Sequence, residues 1–328
     1  MRMECLGGVT PQVAAGHRGI TGTGLKLIAL VSMVLDHIYY FFSHTGCIPW
    51  WFGLVGRMAA PLFLFCLVEG FRHTRSRKKY FLKILSVAVP MGLLLFFMRY
   101  GGVLVRPDGF YPQNAMLSSF VLLLICFQAF DWMARGKGTQ RAAGCGLLLL
   151  LLVWPFLASV LSAQGPASAT VVGLLGYTLL PMLNISGDVT LPVLLTGIVL
   201  YLTRNHRKLQ VAAMVLVNFL WHFVLVYLQV RTWPDFALSQ MFTMYYEWMG
   251  AIFAAPLLLC YNGRRGAGYG RFFYAFYPAH IYTSNFSINS SPQTVGFCMY
   301  AYNDLNFSGT FSKGQVVFKS IVYELSSS

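Results

Sequence analysis

Apolar residues in this chain of 328 residues occur in long blocks, separated by short stretches rich in glycine, proline and charged residues. Several blocks approach the ~20 residues that an α-helix needs to span the hydrocarbon core of a bilayer. Turn and charge signals at the block boundaries predict spanning helices over residues 24–42, 49–71, 81–98, 115–133, 144–163, 189–202, 211–229, 237–261 and from 272 onward. The pattern therefore predicts an all-α fold, a polytopic transmembrane helical bundle of about 9–10 spans.

The glycine-punctuated stretch 169–183 affects the predicted topology, because its 15 residues are few for a crossing. Cytoplasmic loops of membrane proteins collect Lys and Arg. The basic loops of this chain are 72–79, 135–141, 204–208 and 264–271. We predict that 169–183 is a re-entrant or interfacial segment. In that case all four basic loops lie on the cytoplasmic side, together with the N-terminus. The alternative is a full crossing that breaks the charge rule.

Composition supports a multi-pass protein of the cell membrane. Hydrophobic residues make up 57% of the chain, charged residues only 10%, and the mean hydropathy is +0.61. Soluble domains carry about 25% charged residues to cover their surface. The composition thus excludes a soluble enzyme, a secreted disulfide scaffold and a disordered protein, and it predicts the lipid bilayer as a partner.

The net charge of +14 comes from Lys and Arg in short loops between apolar blocks, so it indicates membrane orientation and no nucleic-acid partner. The cysteines inside apolar blocks have no metal-ligand spacing, so we predict packing roles and no metal site; they are Cys66, Cys126, Cys145 and Cys260. The first apolar run lacks a small-residue cleavage site, so we predict no cleaved signal peptide.

The two ends of the chain differ from its middle. We predict a cytoplasmic N-terminal segment over 1–23 and a transmembrane domain over 24–282. Residues 283–328 form a polar tail rich in Ser and Asn, which cannot cross a bilayer without leaving polar groups in hydrocarbon. The tail is either a divergent, disordered appendage or a non-native translation of a shifted reading frame.

Several ionisable or polar residues fall inside predicted spans, where a charge costs roughly 3 kcal/mol and usually has a partner or a task. They are Asp36, His37, Arg57, Asn218, His222, Glu247 and His280. At ~1.5 Å per residue, His37, His222, Arg57 and Glu247 lie ~8 to ~15 Å from the outer helix ends, and His280 lies near the bilayer middle. The four outer residues are therefore predicted to line one polar cavity.

His37 is the candidate base, because imidazole takes and returns a proton near neutral pH. Asp36 and His37 are adjacent, so on a helix they point about 100° apart and do not form a simple dyad. If a carboxylate orients His37, Glu247 is as good a candidate as Asp36. The structural alternatives are a hydrogen-bonded core histidine and ion pairs of Arg57 with Asp36 or Glu247.

Two basic segments suit an anionic ligand. Guanidinium groups and exposed backbone N–H groups bind phosphate, and these segments contain Arg72 and Arg75 in one and Arg264 and Arg265 in the other. We therefore consider them for a nucleotide-bearing donor. The alternative explanation is that these basic residues only set the orientation of the helices in the membrane.

Five segments together match one family. In chain order they are LKLIALVSMVLDHI from Leu25, GRMAAPLFLFCLVEGFRHTRSRKKY from Gly56, VLYLTRNHRK from Val199, YYEWMGAIFAAPLLLCYNGRRG from Tyr245 and FFYAFYPAHI from Phe272. With Asn114 before the fourth span, they make the chain resemble the TraX family of conjugative-pilin N-acetylases. That family is related to the acyltransferase type 3 membrane enzymes.

The resemblance implies a membrane acetyltransferase that uses acetyl-CoA, with an acyl acceptor that is the N-terminus of a pilin subunit, another amine or hydroxyl, or an envelope glycan. Carried onto this sequence, it marks Asp36, His37, Gly56, Arg57, Pro61, Glu69, Gly70, Arg72, Thr74, Tyr80, Asn114, Glu247, Tyr261, Asn262, Gly263, Arg265, Gly266, Tyr277, Pro278 and His280. The chain departs from the family pattern after His280, where it becomes polar.

The expected roles follow from acyl-transfer chemistry, which needs a base and donors for the carbonyl oxygen. His37 is assigned as the base, oriented by Asp36 or Glu247, and Arg57 as the electrostatic donor or as the partner of those acids. The coenzyme phosphates are assigned to Arg72, Arg75, Arg264 and Arg265, with His280 on the route between. The alternatives are a transporter or lipid scramblase, and an inactive member of the family.

Overall fold

The computed structural model describes residues 19–103, 105, 111–183 and 189–290, and its regular structure there is helical. The α-helices are α1 (Gly22–Phe42), α2 (Trp51–Gly56), α3 (Ala59–His73), α4 (Arg77–Gly101), α5 (Met116–Arg135), α6 (Thr139–Ser162), α7 (Pro166–Thr178), α8 (Leu191–Leu202), α9 (Arg207–Phe219), α10 (Val226–Val230), α11 (Gln240–Thr243), α12 (Met249–Leu259) and α13 (Gly270–Ser290). A π-helical segment, Leu220–Leu225, joins α9 to α10.

Six helices of the described residues are long and apolar enough to cross a membrane. They are α1, α2 with α3, α4, α5, α6, and α9 with its extension to Val230. Apolar side chains also face outward: Phe156 is 70% exposed and Leu152 is 67% exposed on α6, as expected for a lipid-facing surface. The predicted all-α, multi-pass bundle is confirmed, although the other predicted spans are shorter or more polar helices.

Three of the basic loops meet at one end of the bundle. Asp131, near the end of α5, pairs with Arg77 at 2.6 Å and with Arg204 at 3.3 Å. Arg72 donates to the carbonyl oxygen of Arg204 over 2.9 Å. These contacts join loops 72–79 and 204–208 to the end of α5, from which loop 135–141 continues, and we call this side of the bundle the basic end.

The fourth loop joins the basic end through the start of α1. The amides of Gly22 and Thr23 donate to the carbonyl oxygens of Arg264 and Arg265 over 2.8 and 2.9 Å. The guanidinium of Arg207, which lies in the third loop at the start of α9, is 5.0 Å from the centre of the Tyr261 ring. The start of α1 is therefore fixed to the same end as all four basic loops.

The helices α7 and α8 return the chain to the basic end after α6. They contain 13 and 12 residues, so each is ~20 Å long or less and too short to cross the ~30 Å core alone. The backbone of Tyr177 packs against Gly92, in the middle of α4, and Tyr201 at the end of α8 hydrogen-bonds Asp131 at the basic end. The short segment 169–183 is thus no full crossing, as predicted, whereas the prediction of a full span over 189–202 is wrong.

The predicted span 237–261 is also wrong. Its apolar block is divided into α11, a 3-10 turn over Tyr246–Trp248, and α12. The Trp248 indole donates to the carbonyl oxygen of Met241 over 2.9 Å, which holds the turn against α11. As a result Glu247 lies in a turn before α12, and not in the middle of a long helix.

The last described helix, α13, starts at the basic end and runs to Ser290, past the predicted domain boundary at residue 282. Most of the predicted N-terminal segment, residues 1–18, and the tail from residue 291 lie outside the described residues.

The contact between α4 and α7 gives a test of the short-helix arrangement. A Cβ atom at Gly92 would overlap the carbonyl oxygen of Tyr177, whereas a Cβ at Gly146, on the exposed side of α6, meets nothing within 4 Å. We expect Gly92→Ala to lower the stability of the bundle by about 1–3 kcal/mol, because overpacking must push α7 away.

Gly146→Ala is the matched control, because alanine favours a helix over glycine by ~1 kcal/mol where space is free. The measurement is the midpoint of thermal unfolding of both variants in one detergent. Equal midpoints for the two variants would contradict the close approach of α4 and α7.

Candidate active site

His37 is a buried residue of α1, with 6% of its surface exposed. Its Nδ1 lies 2.6 Å from Nε2 of His280 on α13, and its Nε2 lies 3.0 Å from Nδ2 of Asn114. The two imidazole rings are nearly parallel, with centres 4.8 Å apart and an interplanar angle of 12°. Three segments distant in sequence therefore meet at this imidazole pair, which we define as His37 and His280.

The partners of the imidazole pair fix where its hydrogens lie. The carbonyl oxygen of Phe276 only accepts, so Nδ1 of His280, 2.9 Å away, carries a hydrogen. With neutral rings, Nε2 of His280 then accepts from Nδ1–H of His37. Nε2 of His37 carries no hydrogen and accepts from the Asn114 amide. The basic nitrogen of His37 is thus the one that faces Asn114.

Local packing explains why the imidazole pair forms. Both α1 and α13 begin at the basic end and run in the same direction, so their polar residues reach a similar depth. Aromatic rings cover the pair: Phe276 stacks on His280 at 5.1 Å, and Phe41 contacts His37 edge-on at 6.2 Å. Asn114 lies just before α5, so its amide enters the bundle at the end of a loop.

Asp36 and Arg57 form an ion pair beside the imidazole pair. Arg57 Nη2 lies 3.5 Å from Asp36 Oδ1, and the two side chains are 35% and 21% exposed. Arg57 lies in the break between α2 and α3, where its amide still donates to the Gly53 carbonyl over 3.1 Å. Gly56 permits the pairing, because a Cβ there would overlap Asp36.

Glu247 lies near this ion pair. It is close enough to Asp36 and to His222 to interact electrostatically with both. The structure nevertheless contradicts the prediction that Asp36 or Glu247 orients His37, because both ring nitrogens of His37 face Asn114 and His280. The physical reason is that adjacent residues of a helix point about 100° apart, so Asp36 pairs with Arg57 while His37 faces His280 and Asn114. Glu247, in the turn before α12, does not line the cavity.

A cavity of about 230 Å³ leads to the site. Asp36, His37, Arg57 and Asn114 line one end of it, and Lys26 lines the other. Because His37 and Lys26 are both on α1 and eleven positions apart, the cavity follows α1 for ~16 Å.

The wall between these ends is mainly apolar and includes Leu30, Met33, Phe63 and the free thiol of Cys66. The predicted shared cavity is correct for His37 and Arg57 and wrong for His222 and Glu247, which do not line it.

The residues assigned to the coenzyme lie in two places. Arg72, Arg75, Arg264 and Arg265 are exposed at the basic end. His280 is ten positions into α13, ~15 Å from that end, and it pairs with His37. His280 was predicted to lie near the bilayer middle, on the route between the arginines and the base, and the structure places it at the end of that route, paired with the candidate base itself.

Sequence reasoning missed three features of the site. It marked Asn114 without giving it a role, and it passed over Lys26, although one lysine inside the first apolar block was a signal. It also passed over Asp131, which is 7% exposed, because an acid near the end of a span resembles a boundary residue.

Comparison with known proteins identifies a family for this chain. The family model described as TraX protein matches residues 21–283, which contain all residues of the candidate site. A curated relative, the probable fimbrial assembly protein FimC, serogroup H1, of Dichelobacter nodosus, is 29% identical over 265 residues. This alignment covers 78% of the chain and 91% of the relative. No solved structure matches the chain. Since the family model covers most of its length, the protein belongs to the TraX family.

Proposed function

We propose that this protein is an integral membrane acetyltransferase, which moves the acetyl group of acetyl-CoA to an amine or hydroxyl acceptor. The observation that carries the proposal is the imidazole pair, whose member His37 lines an apolar cavity together with Asn114 and the Asp36–Arg57 ion pair. The name of the fimbrial relative and the family resemblance make the N-terminal amine of a pilin subunit the preferred acceptor.

In the proposed reaction His37 is the general base. The acceptor amine replaces the Asn114 amide at Nε2, and Nε2 then removes a proton from that amine while the amine nitrogen attacks the thioester carbonyl carbon. As the C–N bond forms and the C–S bond breaks, the proton is returned to the leaving sulfur, so the products are the acetylated acceptor and coenzyme A thiol. No covalent acyl-enzyme is needed.

His280 supports the base through the 2.6 Å contact. When Nε2 of His37 gains a proton, the hydrogen on Nδ1 of His37 moves towards Nε2 of His280. The hydrogen on Nδ1 of His280 stays bonded to the Phe276 carbonyl oxygen. The positive charge is then shared by two rings, which reduces its cost in an apolar interior.

Asn114 and Arg57 supply the remaining interactions. Asn114 Oδ1 is buried and has no hydrogen-bond partner among the described residues, so an acceptor N–H is a suitable donor to it. Arg57 faces the cavity and is assigned to the oxygen of the thioester carbonyl, on which negative charge develops. Asp36 holds Arg57 in place.

The donor is proposed to enter from the basic end, which the charge rule assigns to the cytoplasm. The exposed Arg72, Arg75, Arg264 and Arg265 bind its phosphates, and Lys26 marks the mouth of the cavity. A flexible thioester arm then reaches His37 along the ~16 Å of α1.

The first test is His37→Gln. Loss of a general base lowers turnover by typically 10²–10⁴-fold, so we expect at least a hundredfold decrease in acetyl transfer. The measurement is incorporation of label from [14C]acetyl-CoA into membrane vesicles that contain the protein.

His206→Gln is the matched control, because His206 is exposed at the basic end. Equal activity of the two variants would exclude His37 as the base. Vesicles of the unchanged protein that incorporate no label, with a pilin peptide supplied, would contradict acetyl transfer itself and favour a transporter.

Asn114→Ala tests the position of the acceptor. We expect the KM for a synthetic pilin N-terminal peptide with a free amine to rise about tenfold, because one buried hydrogen bond to the acceptor is lost. The KM for acetyl-CoA should stay the same.

Asn218→Ala is the control for a buried asparagine with a structural role, since its amide donates to Thr196 over 3.0 Å. A rise in both KM values for Asn114→Ala would remove Asn114 from the acceptor site. A rise in the peptide KM alone for Asn218→Ala, equal to that for Asn114→Ala, would do the same.

The acceptor itself can be identified in cells. Intact-mass spectrometry of envelope proteins should show one pilin-type subunit lighter by the mass of a single acetyl group when the gene is deleted. The His37→Gln gene should fail to restore the mass. If all protein masses stay constant while an envelope glycan loses acetyl groups, the acceptor is a hydroxyl and the pilin assignment is wrong.

A further inference from the structure

A second cavity, of about 190 Å³, lies at the basic end, and half of its eight lining residues are arginines. Arg72, Arg77, Arg135 and Arg204 line it, and Asp131 is its acidic residue. These arginines come from three loops that are far apart in the sequence. Four positive charges against one negative charge leave an excess of three, so the cavity, which we call the arginine cavity, attracts an anion.

We infer that the arginine cavity binds a phosphate group, and that the phosphate belongs to the headgroup of an anionic membrane lipid. This cavity is distinct from the one that leads to His37, although Arg72, which lines it, is also among the arginines assigned to the coenzyme phosphates. The inference does not depend on acetyl transfer.

Two of the four arginines are built into the structure and shape the cavity. Arg77 and Arg204 both pair with Asp131, whose Oδ1 also accepts from the Tyr201 hydroxyl over 2.5 Å. Aromatic rings hold both guanidinium planes: Arg77 lies 4.6 Å from the centre of Phe71, and Arg204 lies 3.9 Å from the centre of Tyr201. Asp131 is therefore already satisfied, and it does not neutralise the other two arginines.

Those other two arginines are available to a ligand. Arg135 is exposed and makes no hydrogen bond or ion pair with any described residue, and Arg72 donates one bond, to the Arg204 carbonyl oxygen. Both guanidinium groups therefore retain free N–H donors beside a polar cavity. Fork-shaped donors of this kind suit phosphate oxygens.

The basic residues that line the cavity are all arginines. A role in setting membrane orientation alone does not explain this, because Lys and Arg satisfy that role equally. The same three loops contain Lys78, Lys79, Lys137 and Lys208, which are all exposed and do not line the cavity. Arginine binds phosphate bidentately, whereas lysine acts as a compact, strongly hydrated charge. The basic residues that line the cavity are thus all arginines, although Arg75, Arg141 and Arg207 of the same loops lie outside it. Arginine is the residue that suits a phosphate site.

The position of the cavity favours a lipid as the source of the phosphate. It lies at the ends of α3, α5 and α8, where the apolar spans meet the basic loops. Exposed apolar residues adjoin it in sequence: Met133 is two positions before Arg135, and Leu202 is two positions before Arg204. A headgroup in the cavity would thus have its acyl chains beside lipid-facing residues. Basic pockets between helices bind anionic headgroups in this way.

The test measures the association of spin-labelled phosphatidylglycerol with the detergent-purified protein, from the immobilised fraction in the electron paramagnetic resonance spectrum. Spin-labelled phosphatidylcholine is the reference lipid. For Arg135→Gln we expect the preference for phosphatidylglycerol to fall about fivefold, the effect of one basic residue at a lipid surface. Lys137→Gln, which removes one charge from the same loop outside the cavity, should leave the preference unchanged.

A parallel measurement of coenzyme A binding by equilibrium dialysis distinguishes the two sources of phosphate. If Arg135→Gln weakens coenzyme A binding and leaves the lipid preference unchanged, the cavity binds a phosphate but the lipid is wrong. If neither ligand responds, or if Lys137→Gln lowers the lipid preference as much as Arg135→Gln does, the inference is overturned. The lipid measurement requires no acetyl transfer, so its outcome is independent of the proposed enzyme activity.

Discussion

A hydrogen bond between His37 and His280 joins the first described helix to the last, across 243 positions of sequence. In an apolar interior neither imidazole is solvated by water, so each needs a partner of the protein itself. The fold meets this requirement by bringing α1, α13 and the segment before α5 together at one depth. The candidate chemistry therefore depends on a constraint that is first of all structural: polar groups inside the bilayer must satisfy one another.

The basic end sets the geometry from which that depth is reached. The amides at the start of α1 bond the carbonyl oxygens of Arg264 and Arg265, and α13 begins a few residues later. Both helices start at the basic end, and His37, fifteen positions into α1, meets His280, ten positions into α13. The start of α13 therefore lies about five residues, or ~7 Å, deeper along the bundle than the start of α1. Small residues permit the close approaches. Gly56 lies against Asp36 and Gly250 against the backbone of Arg57, where any side chain would collide.

Much of this was predictable from the sequence, and the failures have physical causes. Apolar block lengths predict the long helices, and the cost of charge in lipid predicts that His37 and Arg57 share a cavity. The sequence predicts the depth of a residue but not which helices are neighbours. For this reason a carboxylate was expected beside His37, and the pairing of His37 with His280 was missed. The block 237–261 is apolar throughout, which hides the turn that moves Glu247 out of the cavity. Asp131 was missed because its partners lie in loops that only tertiary structure unites.

The separation of charge along the bundle constrains the donor. The wall between Lys26 and His37 is mainly apolar, so a compact anionic donor such as acetyl phosphate would carry its charge into a region where an unpaired ion is strongly disfavoured. A donor with a long neutral arm leaves its charged part among the arginines of the basic end and places only the thioester beside the base. The ~16 Å between Lys26 and His37 then sets the minimum length of the donor's neutral arm. Under the proposed function, the depth of His37 is what makes a coenzyme thioester suitable and a small acyl phosphate unsuitable.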